Sequence, residues 1–225
     1  VSMQTFHQKL ASSWRKNNSL LCVGIDPDMK RLPKHLLDYD KPFLEFGKAI
    51  VDATADYVCA FKPQAAHFAA AAREEELAQL IAYAKERYPD VQVILDAKRG
   101  DVGSTAKLYA QEAFERYNAD AVTVSPYLGK DSLEAYFEYK ERGIIVLCRT
   151  SNPGSDWLQN SSDDSTPIYL KVAEQIKQWD TQEQCMLVTG ATYPEELSRV
   201  RDVVGAMPLL VPGVGAQGGS IQEVL

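Results

Sequence analysis

Val91-Gln92-Val93-Ile94-Leu95-Asp96-Ala97-Lys98-Arg99-Gly100-Asp101 decides how this chain is read. Val91 to Leu95 form an apolar run that reads as a buried strand. Side chains two apart on a strand share a face, so Asp96 and Lys98 project together from its C-terminal end, with Asp101 in the loop just beyond. Carboxylates on either side of Lys98 favour its charged form. An ammonium held in this way can donate a proton, and packed carboxylates repel a negatively charged substrate group. The same three residues would also serve as plain structural ion pairs, but charged groups at a strand exit are frequent in catalytic sites.

Outward from this stretch the pattern repeats. Apolar runs at 21–25, 57–61, 91–95, 120–124, 143–148, 185–189 and 208–211 read as strands. Helical spacing of apolar residues marks 43–55, 74–88, 105–117, 132–139, 167–179 and 194–203 between them. Pro194-Glu195-Glu196 is a helix start, with proline in the first turn and acids at the positive end of the dipole. Strands alternating with helices imply a parallel sheet. Seven or eight such units favour a single α/β domain over residues 1–225, a closed (β/α)8 TIM barrel rather than an open doubly wound sheet. No Gly-x-Gly-x-x-Gly follows the first strand, which weakens a dinucleotide-binding reading.

Reactive residues of such barrels stand at the C-terminal ends of the strands. Those exits carry Asp26 after the first strand, Lys62 after the second, and Asp96, Lys98 and Asp101 after the third. Ser125-Pro126-Tyr127 and Arg149-Thr150-Ser151-Asn152-Pro153-Gly154 follow the fourth and fifth, and Thr189-Gly190-Ala191-Thr192 the sixth. Pro212-Gly213-Val214-Gly215-Ala216-Gln217-Gly218-Gly219 follows the seventh. Glycines there let backbone N–H groups approach a ligand, and phosphate sites in these barrels lie after strands seven and eight, so the Gln217 amide is placed to donate to a phosphate oxygen. The polar segment 155–166 reads as a loop beside the same mouth.

Composition narrows the partners. The chain has 225 residues and a net charge of −7, without the basic stripe that nucleic acid requires. No apolar run is long enough to span a bilayer, and there is no signal peptide pattern. Cys22, Cys59, Cys148 and Cys185 sit in or beside apolar strand-like runs, none at metal-ligand spacing, which fits small buried thiols in a reducing cytoplasm. His7, His35 and His67 fall outside every motif and read as surface or packing residues.

Taken together, these stretches resemble the orotidine 5′-monophosphate decarboxylase family from about residue 20 to 219. The family signature, Asp-x-Lys-x-x-Asp with a hydroxyl residue four further on, matches Asp96, Lys98, Asp101 and Thr105. The run 94–105, Thr150-Ser151-Asn152-Pro153-Gly154-Ser155, Gly190-Ala191-Thr192-Tyr193-Pro194-Glu195 and the loop 213–219 are similar to its type 2 bacterial branch. The resemblance implies cofactor-free, metal-free decarboxylation of orotidine 5′-monophosphate to UMP in de novo pyrimidine synthesis. Lys98 would protonate C6, Asp96 would crowd the substrate carboxylate, and Lys62 would complete an alternating charge network with them. Asp26 would bind the ribose, Ser151 the pyrimidine, and Gln217, with Gly218 beside it, the 5′-phosphate. Asp101 and Thr105 would reach into a neighbouring subunit's site, which implies a homodimer. The family pattern continues past Leu225 with an eighth βα unit and a phosphate-clamping arginine, so the barrel over 1–225 is expected to be one strand short with an open sheet edge. Two other readings stand beside this one. One is a Mg2+-dependent sugar-phosphate decarboxylase or aldolase of the same barrel group, which Asp26 and Asp96 keep open and the Ser151 motif argues against. The other is a nucleotide-binding barrel without catalysis.

Overall fold

Each of the apolar runs becomes a strand, and the helical patterns fill the gaps between them. The computed structural model describes residues 4–162, 165–214 and 218–224. Helix α1 (Phe6–Asn17) precedes β1 (Cys22–Ile25); α2 (Pro42–Thr54) leads to β2 (Ala60–Pro63); α3 (Ala65–Ala70) and α4 (Glu74–Arg87) lead to β3 (Gln92–Arg99). Helix α5 (Gly103–Gln111) is followed by β4 (Ala121–Val124), α6 (Glu134–Phe137) and β5 (Gly143–Arg149). Next come α7 (Asp156–Gln159), α8 (Ile168–Trp179), β6 (Cys185–Thr189), α9 (Pro194–Val204), β7 (Leu209–Leu210) and α10 (Ile221–Val224).

The strands form one parallel sheet in the order β1-β2-β3-β4-β5-β6-β7, so every neighbour in sequence is a neighbour in space. This is the curled (β/α) barrel sheet that the alternation implies. Among the described residues β1 and β7 are its edges and do not pair with each other.

Strand periodicity divides the core into two layers. Val93, Leu95, Val122, Val124, Ile144, Val146 and Leu187 face the helix layer, where Phe43, Leu77, Leu80 and Ile81 pack. Ile94, Ala121, Ile145, Met186 and Val188 face the barrel interior. Helix α1 closes the interior from below with Phe6 and Leu10, both buried, each contributing about 2 kcal/mol by leaving water. Gly143 is required by that contact, because a Cβ there would lie 2.5 Å from the Phe6 ring and 2.7 Å from Ala121 Cβ. A capping box, Thr5 with Gln8, starts α1. Asp120 accepts from Val93 N at 2.9 Å and pairs with Lys85, which ties the start of β3 to the start of β4.

Several expected boundaries move. The second strand starts three residues later than expected, because 55–57 continue from α2 as a short 3-10 turn; Lys62 therefore lies inside β2 rather than after it. The helix expected over 105–117 starts at Gly103, ends at Gln111 and widens into a π turn over Glu112–Arg116. The one expected over 132–139 shrinks to a 3-10 turn at Lys130–Ser132 and α6. The segment 155–166 is not all loop: a 3-10 turn at Pro153–Ser155 runs into α7.

Candidate active site

The C-terminal ends of β2, β3 and β4 converge on one carboxylate. Asp96 accepts at Oδ2 from Lys62 Nζ at 2.9 Å and Gln64 Nε2 at 3.1 Å. At Oδ1 it accepts from Lys98 Nζ at 2.6 Å and Thr123 Oγ1 at 2.8 Å. The expected pair of carboxylates around Lys98 is, within this chain, one carboxylate between two ammoniums. Asp101 accepts instead from Val102 N at 2.8 Å, at the entry to α5. Thr105 stands exposed in the first turn of that helix, on the wall of a groove of about 580 Å³ shared with Leu108, Tyr109 and Glu112.

The backbone that holds this arrangement is irregular. The ladder between β3 and β4 pairs Leu95 with Val122 and then Arg99 with Val124, so β3 bulges over Asp96–Lys98. Lys98 has a φ of 48°, a left-handed conformation that costs a non-glycine residue about 1–3 kcal/mol and survives only where the surroundings impose it. Immediately after the bulge, Arg99 grips Glu112 through both carboxylate oxygens and lies over the Tyr109 ring at 4.6 Å, locking the strand exit onto α5.

Burial and charge are graded across the three groups. The Asp96 side chain is 7% exposed and Lys62 18%, whereas Lys98 is 46% exposed and reaches the mouth. Desolvation pushes the Asp96 carboxyl up, but the charge of Lys62, the hydrogen bonds of both lysines and the charge of Lys98 outweigh it and hold it below the usual carboxylate range. For Lys62 desolvation pulls down, and the charge and hydrogen bond of Asp96, with Asp26 adding, override it and leave the ammonium above its usual range. Asp26 is exposed at the exit of β1 and joins the network through this field.

The exits of β5 and β6 form the opposite wall. Ser151 lies with its backbone directly on Gly190, where a Cβ would stand 2.7 Å from Ser151 Cα. Thr192 donates to the Ser151 carbonyl at 3.1 Å. Arg149, fully buried at the end of β5, pairs with Ser155 and Asp156, lies 3.8 Å from Glu196, and stacks 3.7 Å from the centre of the Tyr193 ring. It ties the segment carrying Ser151 to the start of α9. Beyond β7, Gly219 N donates to the Gly213 carbonyl at 2.9 Å, and a Cβ on Gly219 would meet that oxygen at 2.7 Å. Gly218 has a φ of 89°, which favours glycine. Gln217 lies outside the described residues.

Comparison with known proteins decides what this mouth belongs to. Residues 19–224 match the model of the orotidine 5′-phosphate decarboxylase / HUMPS family. The chain belongs to this family. It is 58% identical to the orotidine 5′-phosphate decarboxylase of Ralstonia pickettii over 221 residues, covering 98% of this chain and 82% of that one. Among solved structures, the OMP decarboxylase of Leishmania donovani is 35% identical with a TM-score of 0.86, over 99% of this chain and 83% of that one. The UMP synthase of the same organism is 39% identical with a TM-score of 0.88, and this chain spans 48% of its length.

As a member of the orotidine 5′-phosphate decarboxylase family, the chain places Lys62, Asp96 and Lys98 in one connected network, with Asp26 adjacent, Ser151 on the facing wall and Asp101 and Thr105 at the start of α5. Sequence reading did not single out three side chains of this site: Gln64, Thr123 and, as an anchor, Arg149. Arg149 stands in the fifth strand exit without a mark of its anchoring role, and Gln64 lies two positions from Lys62 along the line of β2. Thr123 reads as an ordinary strand residue, and its partnership with Asp96 is a contact between strands.

His7 and His67 are bonded to the main chain, whereas His35 stands exposed in the 3-10 turn Lys34–Leu36. The His7 and His67 rings each make a hydrogen bond with a main-chain carbonyl, of Cys185 at 2.6 Å and Pro27 at 2.8 Å. All four cysteines are free thiols. Burial pushes the Cys22 and Cys148 thiols up to about 12 and Cys59 to about 11, which makes them poor nucleophiles. No helix among the described residues is long and apolar enough to cross a membrane.

Proposed function

We propose that this chain decarboxylates orotidine 5′-monophosphate to UMP through the Lys62–Asp96–Lys98 network. The observation that carries the reading is the position of Lys98: its ammonium is hydrogen-bonded to a buried carboxylate and still reaches the barrel mouth. Breaking the bond between C6 and the carboxylate carbon releases CO2 and leaves the electron pair on C6, where the ring delocalises it poorly. A fixed cation beside that carbon stabilises the developing charge and then transfers its proton to C6. Asp96 presents negative charge against the substrate carboxylate, an interaction that is relieved as neutral CO2 departs. Lys62 and Thr123 keep Asp96 ionised and fixed, so it does not swing away when substrate arrives. Asp26 is placed for the ribose hydroxyls and Ser151 for the pyrimidine edge. The turn closed by Gly213 and Gly219 is the place for the 5′-phosphate, together with Gln217. Phosphate binding far from C6 then holds the reacting carbon in place and lowers the barrel's barrier for the chemistry.

The bonding of Asp96 also weighs against the Mg2+-dependent alternative. Both of its oxygens are already engaged by two ammoniums, an amide and a hydroxyl, whereas Mg2+ needs carboxylate oxygens open to it. The intact protein, stripped with EDTA, is expected to release CO2 from orotidine 5′-monophosphate at an undiminished rate. Loss of turnover restored by Mg2+ would move the reading to the metal-dependent class.

We also infer a homodimer with shared sites, in which Asp101 and Thr105 complete the partner's network. The support is geometric: Asp101, half-buried, and Thr105, exposed, stand where β3 passes into α5, beside the exposed apolar side chains of Val102 and Leu108. Two inactive variants, Lys98→Ala and Asp101→Ala, should then restore activity when mixed. A mixed dimer has one site with both residues intact and one with neither. With equal mixing and random assembly about half the dimers are mixed, so activity should approach roughly a quarter of wild type per site. No recovery after verified subunit exchange would place Asp101 in its own chain's site or outside the chemistry. The reading places the protein in the cytoplasm, where reduced thiols and pyrimidine synthesis belong.

A further inference from the structure

We propose that Thr123 is a positioning residue for the decarboxylation: its one hydroxyl fixes Asp96 and shapes the bulge that aims Lys98. The inference rests on the reading of Asp96 and Lys98 as the reacting pair.

Thr123 is 1% exposed in the middle of β4, between Val122 and Val124, which face the helix layer. Its own side chain therefore faces the barrel interior, toward the bulge on β3. There Oγ1 is the acceptor for two main-chain donors, Ala97 N and Lys98 N, each at 2.9 Å. The same oxygen lies 2.8 Å from Asp96 Oδ1. A hydroxyl has one proton and two lone pairs. Both lone pairs are taken by the two amides, and an ionised carboxylate can only accept. The proton thus has one destination, Asp96, and the full bonding capacity of the hydroxyl is used.

This arrangement explains how the bulge is tolerated. Where β3 carries its extra residues, the amides of Ala97 and Lys98 have no ladder carbonyl on β4, and buried amides left unpaired are costly. Thr123 supplies the missing acceptor from a side chain. The left-handed φ of 48° at Lys98 sits on those two hydrogen bonds. It turns the chain back so that Nζ meets Asp96 Oδ1, the same atom that receives the Thr123 proton. One hydroxyl therefore sets the orientation of the carboxylate and the backbone that carries the ammonium. A β-branched side chain has few rotamers, so the oxygen is itself held in place.

Valine keeps the shape of threonine and removes the hydroxyl, while serine keeps the hydroxyl and removes the methyl group. Thr123→Val is expected to lower kcat by about 10²-fold, the scale for losing one preorganised donor, with UMP affinity changed by less than about 3-fold. Thr123→Ser is expected to stay within about 5-fold of wild-type kcat. A folded Thr123→Val protein with wild-type kcat would overturn the proposal. So would a serine variant that loses as much as the valine variant, because the methyl group and not the hydroxyl would then matter. Should Thr123→Val fail to fold, Thr123→Ala against Thr123→Ser gives the same comparison, and a serine variant that folds but loses turnover overturns the proposal. A wild-type protein with no turnover on orotidine 5′-monophosphate would remove the decarboxylase reading and this proposal with it. Wild-type turnover combined with an unaffected valine variant removes this proposal alone.

Discussion

Replacing Lys98 with alanine is expected to lower turnover by at least on the order of 10²–10⁴ while UMP binding falls much less. Lys98 is the member of the network whose side chain is about half open to the mouth, at 46%, whereas Asp96 and Lys62 are largely enclosed. It is therefore the group that meets the reacting carbon. Its removal deletes both the cation that stabilises the carbanion and the proton that quenches it. The product has no carbanion, so its affinity is not built on that interaction, and the loss belongs in kcat. Near-normal turnover in a folded Lys98→Ala protein would reduce Lys98 to a structural ion-pair partner.

Asp96→Asn is expected to cut turnover by about 10²-fold or more and to cost about 3 kcal/mol of stability. The amide keeps the shape of the carboxylate but removes the charge that two ammoniums share. Lys62, 18% exposed, is then left buried beside a second cation, with the exposed Asp26 as the remaining carboxylate that favours its charge. The pH dependence has a defined sign. Asp96 is held below the usual carboxylate range, so its contribution is present above the unfolded-state pKa and is lost as pH falls through the lower folded value. The stability gap between wild type and Asp96→Asn, read from denaturant unfolding, should be constant through neutral pH and close in acid. Lys62 has the opposite sense: its pKa is raised, so its contribution is complete below the unfolded value and is lost only as strongly alkaline pH passes the folded one. A gap that does not change on acidification would show that the charge of Asp96 contributes nothing to the fold.

Much of the architecture was legible because strands of a parallel sheet are buried on both faces and so read as unbroken apolar runs. All seven strands were found this way, and their order followed from the alternation with helices. Local turn chemistry was less legible. Nothing in the composition of 105–117 announces that the helix widens at Glu112, where Arg99 grips it from the strand before. Helix α1 was missed because its apolar residues, Phe6 and Leu10, are few; they matter only as a plug for a barrel that must already exist. At the site, Asp96, Lys98, Lys62, Asp26 and Ser151 could be listed from strand exits alone, since the barrel brings all exits to one end. Their pairing could not. The positions of Asp96 and Lys98 suggested side chains two apart on a regular strand, but the contact is made through a bulge and a left-handed residue, held by a hydroxyl on the next strand.

With Lys98 fixed at the mouth, the barrel performs chemistry on the nucleotide it is proposed to bind. The most direct measurement is to titrate one metal-free preparation of the intact protein with UMP and assay the same preparation for CO2 release from orotidine 5′-monophosphate. Both saturable UMP binding and turnover are expected, with one CO2 released for each UMP formed. Saturable UMP binding with no CO2 release would contradict this and leave a nucleotide-binding barrel without catalysis.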